Sequence, residues 1–243
     1  MLITSLTNDK IKNLVKLQTK KHRDQEQKFL VEGDHLISEA YKSDNLLEIY
    51  ALEDVFIKYD DIPITYVTKE VMKKISEQSS STNIIGVCKY INNNISENSN
   101  IVLLDGIQDP GNLGTIIRSA VAFNFDVVIG DNSVDIYNSK TIRSTEGMIF
   151  NVSFIKSNLL DFINKHKDYK YLVADMNSGT NIKEYNKNGK VAIIMGNEGN
   201  GISDTINDLN LDYVYIKESS KCESLNVGVA ASILMHELGD IDE

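Results

Sequence analysis

The sequence predicts two α/β domains, 1–95 and 96–243, and three observations carry that reading. Short β-branched runs alternate with helical patterns along the whole chain. The runs after residue 100 are continuously apolar, as strands buried on both faces of a parallel sheet are. Between the two series, Ile91–Asn100 is rich in Asn and Ser and poor in apolar residues, so it reads as a linker.

In the first half, Phe29–Glu32, Leu46–Leu52, Ile64–Val67 and Ile84–Lys89 are predicted strands. The helical patterns Ile11–Leu17, His35–Tyr41 and Lys69–Ile75 lie among them. In the second half the strands are Ile101–Asp105, Asp126–Ile129, Tyr171–Ala174, Val191–Met195 and Tyr213–Ile216. Thr115–Phe123 and Leu225–Leu238 suit crossover helices between such strands.

Of 243 residues, 42 % are hydrophobic and 25 % charged, a composition of ordered globular proteins. No apolar stretch approaches the roughly 20 residues of a membrane helix, and the Lys-rich opening has no apolar core of a secretion signal. Cys88 and Cys222 fit neither a disulfide framework nor a metal spacing. The expectation is a soluble, cytoplasmic protein without a metal site or a membrane partner. The formal charge of −10 argues against a nucleic-acid partner. It is unevenly spread, however: residues 1–28 carry seven Lys or Arg against three acidic residues, and the rest of the chain is strongly acidic. A basic amphipathic opening on an acidic body points toward a polyanion.

The chemistry-bearing residues gather at three places where a predicted strand runs into a helix. In an open parallel sheet those carboxyl ends share one edge, where ligands bind. In the first loop, Asp109-Pro110-Gly111 is a turn signal, Asn112 suits a helix N-cap, and Arg118 follows in an otherwise apolar helix. The second, Gly196-Asn197-Glu198-Gly199-Asn200-Gly201, matches neither the dinucleotide nor the P-loop fingerprint. Glu198 between glycines adds nothing to turn formation. The third runs from Ile216 through Ser224, Leu225 and Asn226 into a long apolar helix that Ser224 is placed to cap. The four histidines fall outside all three loops, so a reaction here runs without an imidazole base.

Three motifs in this order resemble the SpoU, or TrmH-type, RNA 2′-O-ribose methyltransferases of the SPOUT superfamily. They are Asn112-Leu113-Gly114 with Arg118, Met195 to Ile202, and Ser224-Leu225-Asn226-Val227 leading into Ala230-Ala231; Arg143-Ser144-Thr145-Glu146-Gly147 is a weaker fourth. The stretch with Phe29-Leu30-Val31-Glu32-Gly33 resembles the small ribosomal-protein-L30e-like substrate-binding domain. The resemblance implies a C-terminal parallel sheet with a deep trefoil knot, S-adenosylmethionine as cofactor, an RNA substrate and a homodimer that builds the site. It assigns catalysis to Asn112, Arg118, Glu198, Ser224 and Asn226, with Glu198 and Asn226 holding the Arg118 side chain. Cofactor contacts fall on Gly196, Asn197, Gly201, Ile216 and Leu225. RNA contacts are expected from Lys12, Lys20, Lys21, Arg23 and Arg143. Ribosomal RNA of the large subunit is favoured over tRNA, and a catalytically silent RNA-binding or assembly factor is the alternative of another class. The chain departs from the family pattern at Lys217-Glu218, where Pro-Met is usual, and at Gly228 and Ser220, positions where serine and glycine respectively are common.

Overall fold

The computed structural model describes all residues except 1, 79–81, 92–93, 177 and 241–243. Part of the Ile91–Asn100 stretch, and Asp242 and Glu243 of the acidic tail, therefore lie outside the described residues. In chain order the elements are β1 (Leu2–Ile3), α1 (Asp9–Lys16), α2 (Lys20–Glu26), β2 (Lys28–Glu32), α3 (Asp34–Lys42), β3 (Leu46–Ala51), β4 (Ile64–Val67), α4 (Lys69–Ile75) and β5 (Ile84–Lys89). There follow β6 (Asn100–Leu104), α5 (Pro110–Ala122), β7 (Phe125–Ile129), α6 (Ser139–Ser144), β8 (Phe154–Lys156), α7 (Leu159–Lys165), β9 (Lys170–Asp175), β10 (Thr180–Asn181), β11 (Val191–Met195), α8 (Asp204–Asn207), β12 (Asp212–Tyr215) and α9 (Val227–Leu238).

The chain folds as two compact units. Unit 1 is Met1–Asn92 together with Asp135–Phe150, and unit 2 is Asn93–Val134 together with Asn151–Glu243. Unit 1 has a mixed sheet in the order β1-β4-β3-β5-β2, with β5 antiparallel to both of its neighbours. Helix α1 lies on it because Ile11, Leu14 and Leu17 recur every three residues and bury one stripe against Tyr50, Val71 and Val87. Each such side chain contributes about 1.5–3 kcal/mol by leaving water. Helix α2, Lys-Lys-His-Arg-Asp-Gln-Glu, has no apolar stripe, and sequence periodicity overlooks it. It is held by Arg23, which is only 4 % exposed. Its Nη1 donates to the Leu17 carbonyl at 2.9 Å and its Nη2 to Asp135 at 2.7 Å.

Asp135 belongs to the 135–150 segment, which follows β7 in the chain but packs within unit 1. Tyr137 stacks on Tyr90 with ring centroids 3.9 Å apart and meets Phe29 at 4.8 Å. His35 Nε2 lies 3.1 Å from the Glu146 carbonyl. A linear reading puts this segment in the second domain because chain order carries no information about where an insertion docks.

Unit 2 is a seven-stranded, all-parallel sheet in the order β10-β12-β9-β11-β6-β7-β8. Its strands β6, β7 and β11 are buried at every position, which is why they read as apolar runs, interrupted only by the buried Asn100 of β6 and Asp126 of β7. One cluster joins Ile101, Leu103, Val173 and Ile194 to Phe162 and Ile163 of α7. Helices α5 and α9 pack on each other, with the Ser119 and Ser232 hydroxyls 2.6 Å apart. No helix among the described residues is long and apolar enough to cross a membrane.

Candidate active site

The three loops meet at the carboxyl edge of unit 2, joined through two asparagine side chains. Pro110 occupies the first turn of α5, so the helix starts earlier than expected and Asp109 is its cap, its Oδ1 accepting from the Asn112 N–H at 2.9 Å. Asn112 is thus not the N-cap. It sits inside the first turn with its side chain free, and its Nδ2 donates to Glu198 Oε1 at 2.9 Å. Its Oδ1 accepts from Asn226 Nδ2 at 2.8 Å. Asn226, and not Ser224, caps α9: its Oδ1 accepts from the N–H groups of Gly228 and Val229 at 2.9 and 3.3 Å. The polarity of this relay is fixed at both ends. An ionised carboxylate only accepts and helix N–H groups only donate, so each amide between them has one permitted orientation.

Glu198 also accepts from the N–H groups of Gln108 and Asp109, both at 3.2 Å. Burial pushes its carboxyl up, but the hydrogen bonds from Asn112 and from the backbone at residues 198, 108 and 109 outweigh that, and the net shift is downward. Glu198 is therefore a stably ionised organiser of the first two loops, unsuited to taking up a proton near neutral pH.

The glycine loop is closed on itself, with paired bonds between the backbones of Asn197 and Gly201 at 2.8 and 3.0 Å. At Gly196 a Cβ would meet the Gly201 carbonyl carbon at 2.5 Å, so only hydrogen fits; Gly201 itself has φ +69°. The Asn197 side chain is committed inside this loop, donating to the Gly106 carbonyl at 2.7 Å and accepting from Gly199 and Asn200 at 2.9 Å.

The second and third loops and the end of β9 enclose a cleft of about 750 Å³, within the usual range for small-molecule sites. All five expected cofactor residues, Gly196, Asn197, Gly201, Ile216 and Leu225, line it, as do Glu198, Ser224 and Asn226. Asp175, Glu198, Glu218 and Glu223 also line it, with no Lys or Arg. Walls of this charge repel a nucleotide's phosphates and attract a cation. Together with the apolar Ile216, Leu225 and Leu234, they fit S-adenosylmethionine, which carries a sulfonium and an ammonium beside a flat base. Lys217, the unusual residue of the third loop, is exposed and does not line the cleft, whereas its neighbours Ile216 and Glu218 do.

Arg118 stands apart. It is exposed on α5, and among the described residues it has no hydrogen-bond or ion-pair partner. Glu198 and Asn226 do not hold it; their bonds go to Asn112. Ser224 is exposed at the cleft. Lys12, Lys20 and Lys21 of unit 1 are exposed, but Arg23 is not available to RNA, because its guanidinium is buried against Asp135 and the Leu17 carbonyl. Arg143 is half-buried, with its Nη1 enclosed and unpartnered among the described residues. Sequence reasoning missed Asp109, Gln108 and Asp105, whose Oδ2 accepts from Ser203 N–H at 2.7 Å. The Asp-Pro-Gly turn was the available signal for Asp109; the other two carry none.

An all-parallel α/β sheet with a cation-attracting cleft at its carboxyl edge fits the class of S-adenosylmethionine-dependent methyltransferases. Residues 99–236 match the model of the SpoU rRNA methylase family, and residues 8–86 match the MRM3-like substrate binding domain. The chain belongs to the SpoU family of S-adenosylmethionine-dependent RNA 2′-O-ribose methyltransferases. It is 35 % identical to the 23S rRNA (guanosine(2553)-2′-O)-methyltransferase RlmP of Bacillus subtilis, over 97 % of this chain and 98 % of that one. Among solved structures, an RNA 2′-O ribose methyltransferase superposes with TM-score 0.80 at 28 % identity, covering 98 % of this chain and 97 % of that one. An AdoMet-bound rRNA methyltransferase from Sinorhizobium meliloti shares the fold, with TM-score 0.85 at 24 % identity over 98 % of this chain and 96 % of that one.

Proposed function

We propose that this enzyme methylates the ribose 2′-hydroxyl of a guanosine in large-subunit ribosomal RNA, working as a homodimer. Similarity to the Bacillus subtilis enzyme along nearly the whole chain supports ribosomal RNA over tRNA. The observation that carries the chemistry is the Glu198–Asn112–Asn226 relay, which unites the three family loops beside the cleft. S-adenosylmethionine, when bound, supplies a methyl group already made electrophilic by its sulfonium. The residues of the chain have to place and activate the hydroxyl, and positioning alone removes much of such a barrier. Gly196, Ile216 and Leu225 hold the cofactor, and the Ser224 hydroxyl orients the ribose. Arg118 grips the target phosphate and stabilises negative charge developing on the 2′-oxygen. A guanidinium stays protonated, so it is not the base, and the proton leaves to phosphate or solvent.

The homodimer reading rests on the outer face of α5 and α9. Arg118 is exposed there without a partner among the described residues, and Val229 leaves 44 % of its surface open. A second copy covering that face gives Arg118 a site to act on. Arg118→Lys keeps the charge and loses the planar fork. Its methyl transfer to ribosomal RNA is expected to fall about 100-fold, with calorimetric S-adenosylmethionine affinity and RNA binding unchanged. Near-parental transfer at equal RNA binding would refute the role of Arg118.

A further inference from the structure

Unit 1 holds a second concavity, a groove of about 340 Å³ roofed by α1 and α2 over the sheet. Its floor is Leu14, Leu17, Val87 and the ring of Tyr50, and its rim carries Lys10, Lys16, Lys28 and His22 together with Gln25 and one carboxylate, Glu26. Lys10, Asn13 and Lys16 fall three residues apart, so they form one stripe along α1. Lys12 lies off that stripe and pairs with Asp9 at 3.2 Å. None of Lys10, Lys16 or Lys28 has a carboxylate partner among the described residues, so three ammonium groups without an ion pair stand around the apolar floor and outnumber the Glu26 carboxylate on the same rim. Glu48 lines the groove too, and one of its oxygens is held by the Tyr50 hydroxyl at 3.1 Å.

We infer that this groove takes one nucleotide of the RNA substrate, its phosphates on Lys10, Lys16 and Lys28 and its base over the apolar floor. The charges fix that orientation. A phosphate is repelled by Glu48 and attracted to the three rim lysines, which outnumber Glu26, whereas a base bearing N–H donors finds an acceptor in the Glu48 carboxylate. The volume is near the low end for ligand sites, room for one nucleotide and not for a stretch of strand. The inference rests on the RNA-methyltransferase reading and names the contact that unit 1 makes in it.

The test measures binding of a short fluorescein-labelled single-stranded RNA by anisotropy across a salt series, using the full chain. Replacing Lys10, Lys16 and Lys28 together by Gln is expected to weaken binding about 10-fold at low salt. The log–log salt slope should flatten by about 1.4, at roughly 0.7 for each of the two phosphates that flank one nucleotide of a single strand. In steady-state methyl transfer the same variant raises KM for RNA and leaves kcat unchanged. Replacing Lys69, Lys73 and Lys74 of α4, exposed in the same unit, removes equal charge and is expected to leave affinity within about twofold. Unchanged affinity in the groove variant, or equal losses in both sets, would overturn the groove. So would a free nucleoside monophosphate that competes more tightly than the RNA binds. If the parent protein transfers no methyl group to ribosomal RNA, the functional reading fails first and takes the groove's role with it; transfer by the parent with an indifferent groove variant removes the groove alone.

Discussion

The cleft of unit 2 and the groove of unit 1 are both concave, but they are lined with opposite charge and built with opposite stiffness. Four carboxylates and no Lys or Arg line the cleft, whereas three lysines and a histidine outnumber Glu26 and Glu48 around the groove. In the cleft, Asn197, Glu198 and Asn226 are each tied by two or more hydrogen bonds, as is Asn112, which joins the last two. In the groove, the cationic ends stand on flexible four-carbon stems. The difference follows from the two tasks. Placing a hydroxyl for in-line attack needs geometry held within fractions of an ångström, so the polar groups must be committed before the substrate arrives. Holding a polyanion needs charge within reach, and a strongly hydrated, mobile ammonium provides that without a single fixed pose. A net charge of −10 sums the two surfaces and describes neither.

Rigidity of the cleft is where the largest effect is expected. Gly196→Ala puts a methyl group against the backbone of Gly201, which has no flexible end to yield. The loop must open, at a cost of about 1–3 kcal/mol. Thermal melting should fall, and calorimetry should show S-adenosylmethionine binding weakened at least about 10-fold. RNA affinity at the groove stays at the parental level, since that site lies in the other unit. Loss of both together would break the division of labour between them.

A finer cut separates the relay from the helix cap that it shares. Asn226→Ala removes the cap of α9 and should cost about 1 kcal/mol in denaturant unfolding. Asn226→Asp keeps an acceptor for the Gly228 and Val229 N–H groups, but presents a second acceptor to the Asn112 carbonyl oxygen. Its stability is expected near parental while single-turnover methyl transfer drops about 10-fold, one lost transition-state interaction of roughly 1.4 kcal/mol. Parental transfer in Asn226→Asp would make the relay a cap and nothing more.

The smallest effect concerns acid. The Glu198 carboxyl is lowered in the folded state, so its hydrogen bonds stabilise the fold above the unfolded carboxyl value of about 4.3. That contribution disappears as pH falls through the lower folded value. The stability difference between the parent and Glu198→Gln, followed by urea unfolding from neutral pH downward, should therefore shrink below about pH 4. A difference that grows on acidification would mean that burial, and not hydrogen bonding, governs this carboxyl.

How much of this was legible beforehand depends on how local the cause was. Val191–Met195 was read as a strand to the residue, because burial on both faces leaves an unbroken apolar run. The three loops were legible as a set, since polar residues at the ends of buried strands have few structural reasons to be there. Helix α2 was not, because its anchor is one arginine whose partner lies 112 residues away. That same anchoring takes Arg23 out of the expected RNA contacts, as a Lys-rich neighbourhood in sequence says nothing about which cation turns inward.

By itself the sequence determined two α/β domains, a parallel sheet in the second, and the three loops that carry Asn112, Arg118, Glu198, Ser224 and Asn226. Periodicity and apolar runs act over a few residues, so they survive in the linear chain. Only the tertiary structure decided that Asn112 bridges and does not cap, that Asn226 caps α9, that Arg118 faces outward, and that 135–150 packs with the first unit. The bonds that make Asn112 a bridge join residues 86 and 114 positions apart. A donor that far from its acceptor is chosen by the fold that brings them together, and nothing in the neighbouring residues records the choice.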